Sequence, residues 1–193
     1  MESVTAIIVT SAGIVALAEI GDKTMLLALL LAVRFRKPVQ VIAGIFAATL
    51  ANHALAAWAG TVLAGSLAGP GFQIAVAIGF LCMAVWTLIP DKLDVVPKAT
   101  GNQAFVATAM AFFVVEIGDK TQVATIALGA RFQDVLAVTI GTTLGMMAAN
   151  VPAVLLGERV VNLVPLKWVR RGAALLFALL GAALLFRVLQ GQR

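Results

Sequence analysis

The six-residue motif EIGDKT occurs twice in this sequence, at residues 19–24 and 116–121, and each copy lies within a long apolar run. Carboxylate and hydroxyl oxygens are the ligands that hard divalent cations such as Mn²⁺, Ca²⁺ and Mg²⁺ prefer. The two motifs therefore predict a metal site, with six candidate ligands: Glu19, Asp22, Glu116, Asp119, Thr24 and Thr121.

The position of the motifs also favours a functional site. Both fall at the centre of a run long enough to cross a bilayer, where each charge costs about 2.5–3.5 kcal/mol to insert. Gly21 and Gly118 lie between the acids, and glycine admits backbone conformations that interrupt a helix. We therefore predict two helices broken near the membrane midplane, with freed carbonyl groups beside the carboxylates.

The charges of the motifs predict proton coupling as well as metal binding. Four carboxylates and two lysines, Lys23 and Lys120, leave a formal charge of about −2, which one divalent cation or two protons would neutralise. Crowded carboxylates at low dielectric hold protons readily when the metal leaves. The competing interpretation is a buried salt-bridge network that only joins two helices. Further polar residues predicted to line the pathway or support the site are His53, Asn52, Asn150 and Gln122.

The elements that position these residues must be membrane helices. The 193 residues are 62% hydrophobic and 12% charged, with a mean hydropathy of +1.04, which indicates an all-α integral membrane protein. Six apolar runs predict six transmembrane helices, at about 4–33, 38–65, 70–90, 103–130, 134–157 and 168–189. The single cysteine, Cys82, excludes a disulfide within the chain.

The net charge of +5 is explained by membrane orientation rather than by a nucleic-acid partner. With the N-terminus outside, nine basic residues fall in cytoplasmic segments and three outside, which satisfies the positive-inside rule. The nine are Arg34, Arg36, Lys37, Lys92, Lys98, Arg159, Lys167, Arg170 and Arg171. We therefore predict that both termini face the outside of a cell (inner or plasma) membrane.

The 97-residue offset between the motifs predicts two repeats, residues 1–90 and 103–193, joined by a cytoplasmic linker at 91–102. Each repeat has three spans, an odd number, so the second repeat is inverted relative to the first, as in many secondary transporters. Small residues four apart, Gly44 with Ala48 and Gly141 with Gly145, predict close packing of the second and fifth spans against the motif helices.

Twin E-φ-G-D-[KR]-[ST] motifs, one in each three-helix half, resemble those of the GDT family of cation–proton antiporters, which belongs to the lysine-exporter-like superfamily. The resemblance covers essentially the whole chain. It implies export of Mn²⁺ or Ca²⁺ in exchange for protons, with the motif acids as ligands and no permanently bound cofactor. The donor set alone does not choose between the two metals.

Two other functions remain open at this point. One is export of an organic cation or amino acid, and the other is a membrane assembly subunit that transports nothing. An enzyme is not expected, because the sequence contains no nucleophile–base pair and no phosphate-binding loop. The sequence does not indicate the oligomeric state.

Overall fold

The computed structural model describes residues 2–67, 69–89, 103–157 and 166–191, and the predicted linker at 91–102 lies outside them. Every regular element in these ranges is a helix, as predicted. In chain order the helices are α1 (Val4–Glu19), α2 (Lys23–Phe35), α3 (Pro38–Ser66), α4 (Pro70–Thr87), α5 (Ala104–Glu116), α6 (Lys120–Phe132), α7 (Val135–Leu156) and α8 (Leu166–Leu189).

Four of these helices, α3, α4, α7 and α8, are long and apolar enough to cross a membrane individually. Helices α1 and α2 form a fifth span if they are taken together, although they meet at an angle of 73°. Helix α5 has 13 residues, about 20 Å of helix, which is less than the roughly 30 Å hydrocarbon layer. Judged by length and composition, the described residues therefore support four or five spans where the apolar runs predict six.

The helix interruptions predicted at both motifs are present, and they recur at the same offset as the sequence. Helix α1 ends at Glu19 and α5 at Glu116, while α2 begins at Lys23 and α6 at Lys120. Gly21 and Gly118 adopt left-handed conformations, with φ of 81° and 75°. A side chain makes this conformation costly, so glycine is the residue that allows the chain to turn here.

The two halves of the chain pack across each other. Helix α1 lies against α7 of the second half, and α5 lies against α3 of the first. A Cβ atom added to Gly141 would lie 2.6 Å from the Ile8 carbonyl oxygen, and one added to Gly44 would lie 2.7 Å from the Phe105 oxygen. The predicted close approach of these helices to the motif helices is confirmed, and it requires glycine because backbone meets backbone.

Large apolar side chains cover the outside of the bundle, while the motif acids are inside it. Val9, Val33, Leu136 and Leu189 are each more than 60% exposed, and the four motif acids are all buried. This distribution is the reverse of that in a protein surrounded by water, and it matches a lipid environment. Together with the apolar helices, it indicates a multi-pass membrane protein.

Both ends of the described chain lie at the same end of the helix bundle. Glu2 forms an ion pair with Arg131 near the end of α6, with an N–O distance of 2.9 Å. Arg131 and Arg187, the latter near the end of α8, line one cavity of about 370 Å³ together with Gln73 of α4. The predicted topology requires this arrangement, because it places both termini on one side of the membrane.

Candidate metal centre

Three motif acids, Glu19, Asp22 and Asp119, converge between the broken helices. Each offers one carboxylate oxygen, and the three oxygens lie within 4.8 Å of one another. Ligands on opposite sides of a cation, at metal–oxygen distances of about 2.0–2.6 Å, lie roughly 4–5 Å apart. The three oxygens are therefore spaced suitably for one divalent cation, and they come from both repeats.

Each of these acids lies at an end of a broken helix. Glu19 is the last residue of α1, whereas Asp22 and Asp119 are the residues that immediately precede α2 and α6. The carboxylate of Asp119 accepts hydrogen bonds from the backbone N–H of Thr121, at 3.4 Å, and from its hydroxyl, at 3.1 Å. Helix N-termini stabilise negative charge, and the carbonyl groups at helix C-termini attract cations. Three carboxylates and the ends of three helices, α1, α2 and α6, thus meet at one point.

Glu19 is held at one oxygen and left open at the other. The Thr24 hydroxyl and the Asn150 amide, at 3.0 Å, both donate to its Oε1 atom. Among the described residues, its buried Oε2 atom has no hydrogen-bond partner. A buried carboxylate oxygen without a partner is costly, so this atom is suited to accept a cation or a proton.

Glu116, the repeat counterpart of Glu19, has a different environment. Its Oε1 accepts a hydrogen bond from the Thr49 hydroxyl at 2.7 Å, and its Oε2 accepts one from the Asn52 amide at 2.8 Å. Glu116 does not belong to the group of three convergent acids. The structure therefore brings together three of the four predicted carboxylates, and side chains of α3 hold the fourth.

The two motif lysines also differ. The Lys23 ammonium lies 2.8 Å from Oδ1 of Asp119, so it joins the first motif to the second. The Lys120 ammonium donates to the Ile89 carbonyl oxygen at 2.8 Å and lies 5.9 Å from the centre of the Trp86 ring. Equivalent positions in the two repeats thus contact different partners, one inside the acid cluster and one at the end of α4.

The remaining polar residues have separate roles. Asn52 and Asn150 each support a motif glutamate, whereas the Gln122 side chain accepts a hydrogen bond from the Gly118 N–H at 2.7 Å and holds the turn. His53 is buried, and within the described ranges neither ring nitrogen has a hydrogen-bond partner. The predicted role of His53 in lining the pathway stays a prediction.

Thr49 is a site residue that the sequence analysis missed. At the 97-residue offset its counterpart is Met146, so comparison of the repeats does not identify it. The available signal was helical spacing, because Thr49 and Asn52 are three residues apart and share a face of α3.

Comparison with known proteins gives matches to both halves of the chain. The model of the family described as divalent cation/proton antiporter GDT1 matches residues 7–95 and 104–192. The chain is 52% identical over 186 residues to a protein of Vibrio cholerae named "Putative manganese exporter", covering 96% of this chain and 93% of that protein. It is 31% identical over 86 residues to "GDT1-like protein C186.05c" of Schizosaccharomyces pombe, covering 45% of this chain and 32% of that protein. No solved structure matches the chain.

Proposed function

The chain belongs to the GDT1 family of divalent cation/proton antiporters, and from this membership we propose that it exports Mn²⁺ in exchange for protons. The observation that carries the proposal is the group of three buried carboxylates, Glu19, Asp22 and Asp119, with oxygens within 4.8 Å of one another. The choice of Mn²⁺ is supported by the name of the Vibrio cholerae relative. Ca²⁺ accepts the same oxygen ligands and is the second candidate.

Charge neutrality explains why protons would be exchanged for the metal. The three clustered acids and the Lys23 ammonium carry a formal charge of about −2, a state that is strongly disfavoured in a buried site. One Mn²⁺ or two protons would neutralise it, and both would use the same oxygens, including the open Oε2 atom of Glu19. The site would therefore change its accessibility when it is metal-loaded or protonated, and one Mn²⁺ would leave for two protons.

We propose that the helices form six spans in two inverted repeats, with α1–α2 and α5–α6 each counted as one broken span. Helices α5 and α6 have 13 residues each, so their break divides that span into halves of about 20 Å and would lie near the middle of the membrane. Both termini would face outward from the inner (plasma) membrane, in line with the distribution of basic residues.

In this arrangement the repeats would exchange roles when access switches from one side to the other. Glu116 is held by Thr49 and Asn52 in the structure described here, while Glu19 belongs to the acid cluster. Because the repeats are related by the 97-residue offset, we expect Glu116 to enter the shared site in the oppositely open state. All four acids would then serve a single metal ion during one transport cycle.

Metal flux in sealed vesicles tests this function. Purified protein in proteoliposomes should move Mn²⁺ toward the acidic side when a pH gradient is imposed and the membrane potential is clamped. Exchange of one Mn²⁺ for two protons moves no net charge, so flux should not respond to the potential. Adding Ca²⁺ or Mg²⁺ as a competitor of Mn²⁺ flux would give the order in which the protein prefers the three metals.

Two aspartates provide a matched pair of variants. Asp119→Asn removes a proposed ligand, and flux should be lost. Asp134→Asn changes the residue that precedes α7, whose carboxylate accepts a hydrogen bond from Ala137 N–H at 2.9 Å, and flux should persist. Flux that ignores the pH gradient would contradict antiport, and equal flux in both variants would contradict the assigned site.

A further inference from the structure

The different environments of the two motif lysines suggest a role for one of them in transport. Lys23 and Lys120 occupy equivalent positions in the repeats, and the Lys23 ammonium lies 2.8 Å from Oδ1 of Asp119, an acid of the cluster. The Lys120 ammonium donates to the Ile89 carbonyl oxygen at 2.8 Å, at the end of α4. The Lys23 ammonium is thus held at a carboxylate that is also a proposed metal ligand.

From this geometry we infer that the Lys23 ammonium is a tethered counter-cation that occupies the carboxylate cluster when the transported metal is absent and must be displaced for the metal to bind. The inference rests on the proposed transport of a divalent cation through this cluster. It makes Lys23 an internal competitor of the metal, and thus a residue that sets metal affinity.

The contact with Asp119 explains why metal and ammonium cannot both be accommodated fully. Asp119 is one of the three acids whose oxygens lie within 4.8 Å of one another, and its Oδ1 is the atom that Lys23 contacts. A divalent cation within this group would lie within a few ångströms of the ammonium, where like charges repel strongly. The ammonium therefore leaves the Asp119 oxygen as the metal enters and moves to the edge of the cluster, where its charge still offsets one carboxylate.

The Lys23 side chain has room for this movement. Its side chain is 26% exposed, whereas that of Asp119 is 3% exposed, so the lysine extends from the edge of the cluster toward the surface. A lysine has a flexible four-carbon stem and a mobile charge. Displacement of the ammonium therefore needs a change of side-chain rotamer.

Equilibrium Mn²⁺ binding to the purified protein and its variants tests this role. Lys23→Gln removes the competitor, and we expect Mn²⁺ to bind roughly tenfold more tightly or better. Lys23→Arg keeps the positive charge at the cluster, so it should not show the gain in affinity expected of Lys23→Gln. Lys120→Gln removes the same formal charge at the equivalent position, and its gain should be clearly smaller. If the ion pair only joined two helices, Lys23→Gln would bind Mn²⁺ no more tightly than the wild type, and the inference would be wrong.

A second measurement uses the unmodified chain and does not depend on a folded variant. An amine-reactive reagent is applied with and without Mn²⁺, and labelling is quantified by mass spectrometry at Lys23 and, as the internal comparison, Lys120. Mn²⁺ should increase labelling of Lys23 at least severalfold and change Lys120 less. Unchanged or reduced labelling of Lys23 in Mn²⁺-saturated protein would overturn the inference. Wild-type protein that neither binds nor exchanges Mn²⁺ would instead refute the proposed function.

Discussion

Close packing of α7 on α1 should make Gly145, which is not a metal ligand, necessary for transport. A Cβ atom added to Gly145 would lie 2.4 Å from the Ala12 carbonyl oxygen, whereas real contacts of this kind stay at 3.0 Å or more. The two helices would therefore have to separate by about 0.6 Å or more. Gly13, on α1 itself, has nothing within 4 Å of an added Cβ, so Gly13→Ala provides a control for Gly145→Ala.

The expected separation reaches the metal site. Asn150 lies five residues beyond Gly145, about 7.5 Å along α7, and donates to Glu19 at 3.0 Å. A shift of 0.6 Å lengthens this bond to about 3.6 Å, beyond a hydrogen bond. We therefore expect Gly145→Ala to lower Mn²⁺ flux in proteoliposomes severalfold, while Gly13→Ala transports as the wild type does.

The same pair of variants gives a stability difference. In both variants, alanine stabilises the helix by roughly 1 kcal/mol relative to glycine. Gly145→Ala alone incurs overpacking, which costs about 1–3 kcal/mol, or roughly 2–12 °C in melting temperature for a chain of this size. Thermal unfolding in detergent measures the difference. Equal melting temperatures and equal flux in the two variants would refute the close backbone contact.

Three further predictions test the turn, the support of the site and the topology. Gly118→Ala should lower the free energy of unfolding by about 1–3 kcal/mol through backbone strain alone, since φ is 75° and nothing lies within 4 Å of the added Cβ; unchanged thermal unfolding would contradict this. Asn150→Ala removes a donor that orients Glu19, and Mn²⁺ affinity should fall about 10–100-fold in equilibrium binding. The topology is tested by thiol labelling of intact cells in a Cys82→Ala background. Lys37→Cys should react only with reagents that enter the cytoplasm, and Gln133→Cys should react with membrane-impermeant reagents. The reverse pattern would overturn the proposed orientation.

Sequence reasoning predicted the local features of this protein well, because they depend on residue type. The helix breaks follow from Gly21 and Gly118, and the close helix contacts follow from small residues such as Gly44 and Gly141. Apolar run length predicts six spans, whereas the described helices support four or five by length and composition. The length of an apolar run depends only on hydrophobicity along the chain. It gives no information about the 73° angle at which α1 meets α2.

The asymmetry of the site could not be predicted, since it arises from packing between distant segments. Identical motifs gave no reason to expect that Thr49 and Asn52 would hold Glu116 while Glu19 joined the cluster. Nor did they distinguish Lys23 from Lys120, whose partners include the end of α4. If the halves alternate as proposed, the two copies of the motif would have different environments in any single conformation.

The crossed packing of the helices has a consequence for how this protein can be assembled. Helix α1 of the first half packs on a glycine-lined surface of α7 in the second half, and α5 of the second half packs on a glycine-lined surface of α3 in the first. Each of these two helices is therefore packed mainly by the other half of the chain. The chain is in effect a heterodimer covalently joined through residues 91–102. Cutting it there should leave two fragments that are unstable alone yet complementary when co-expressed.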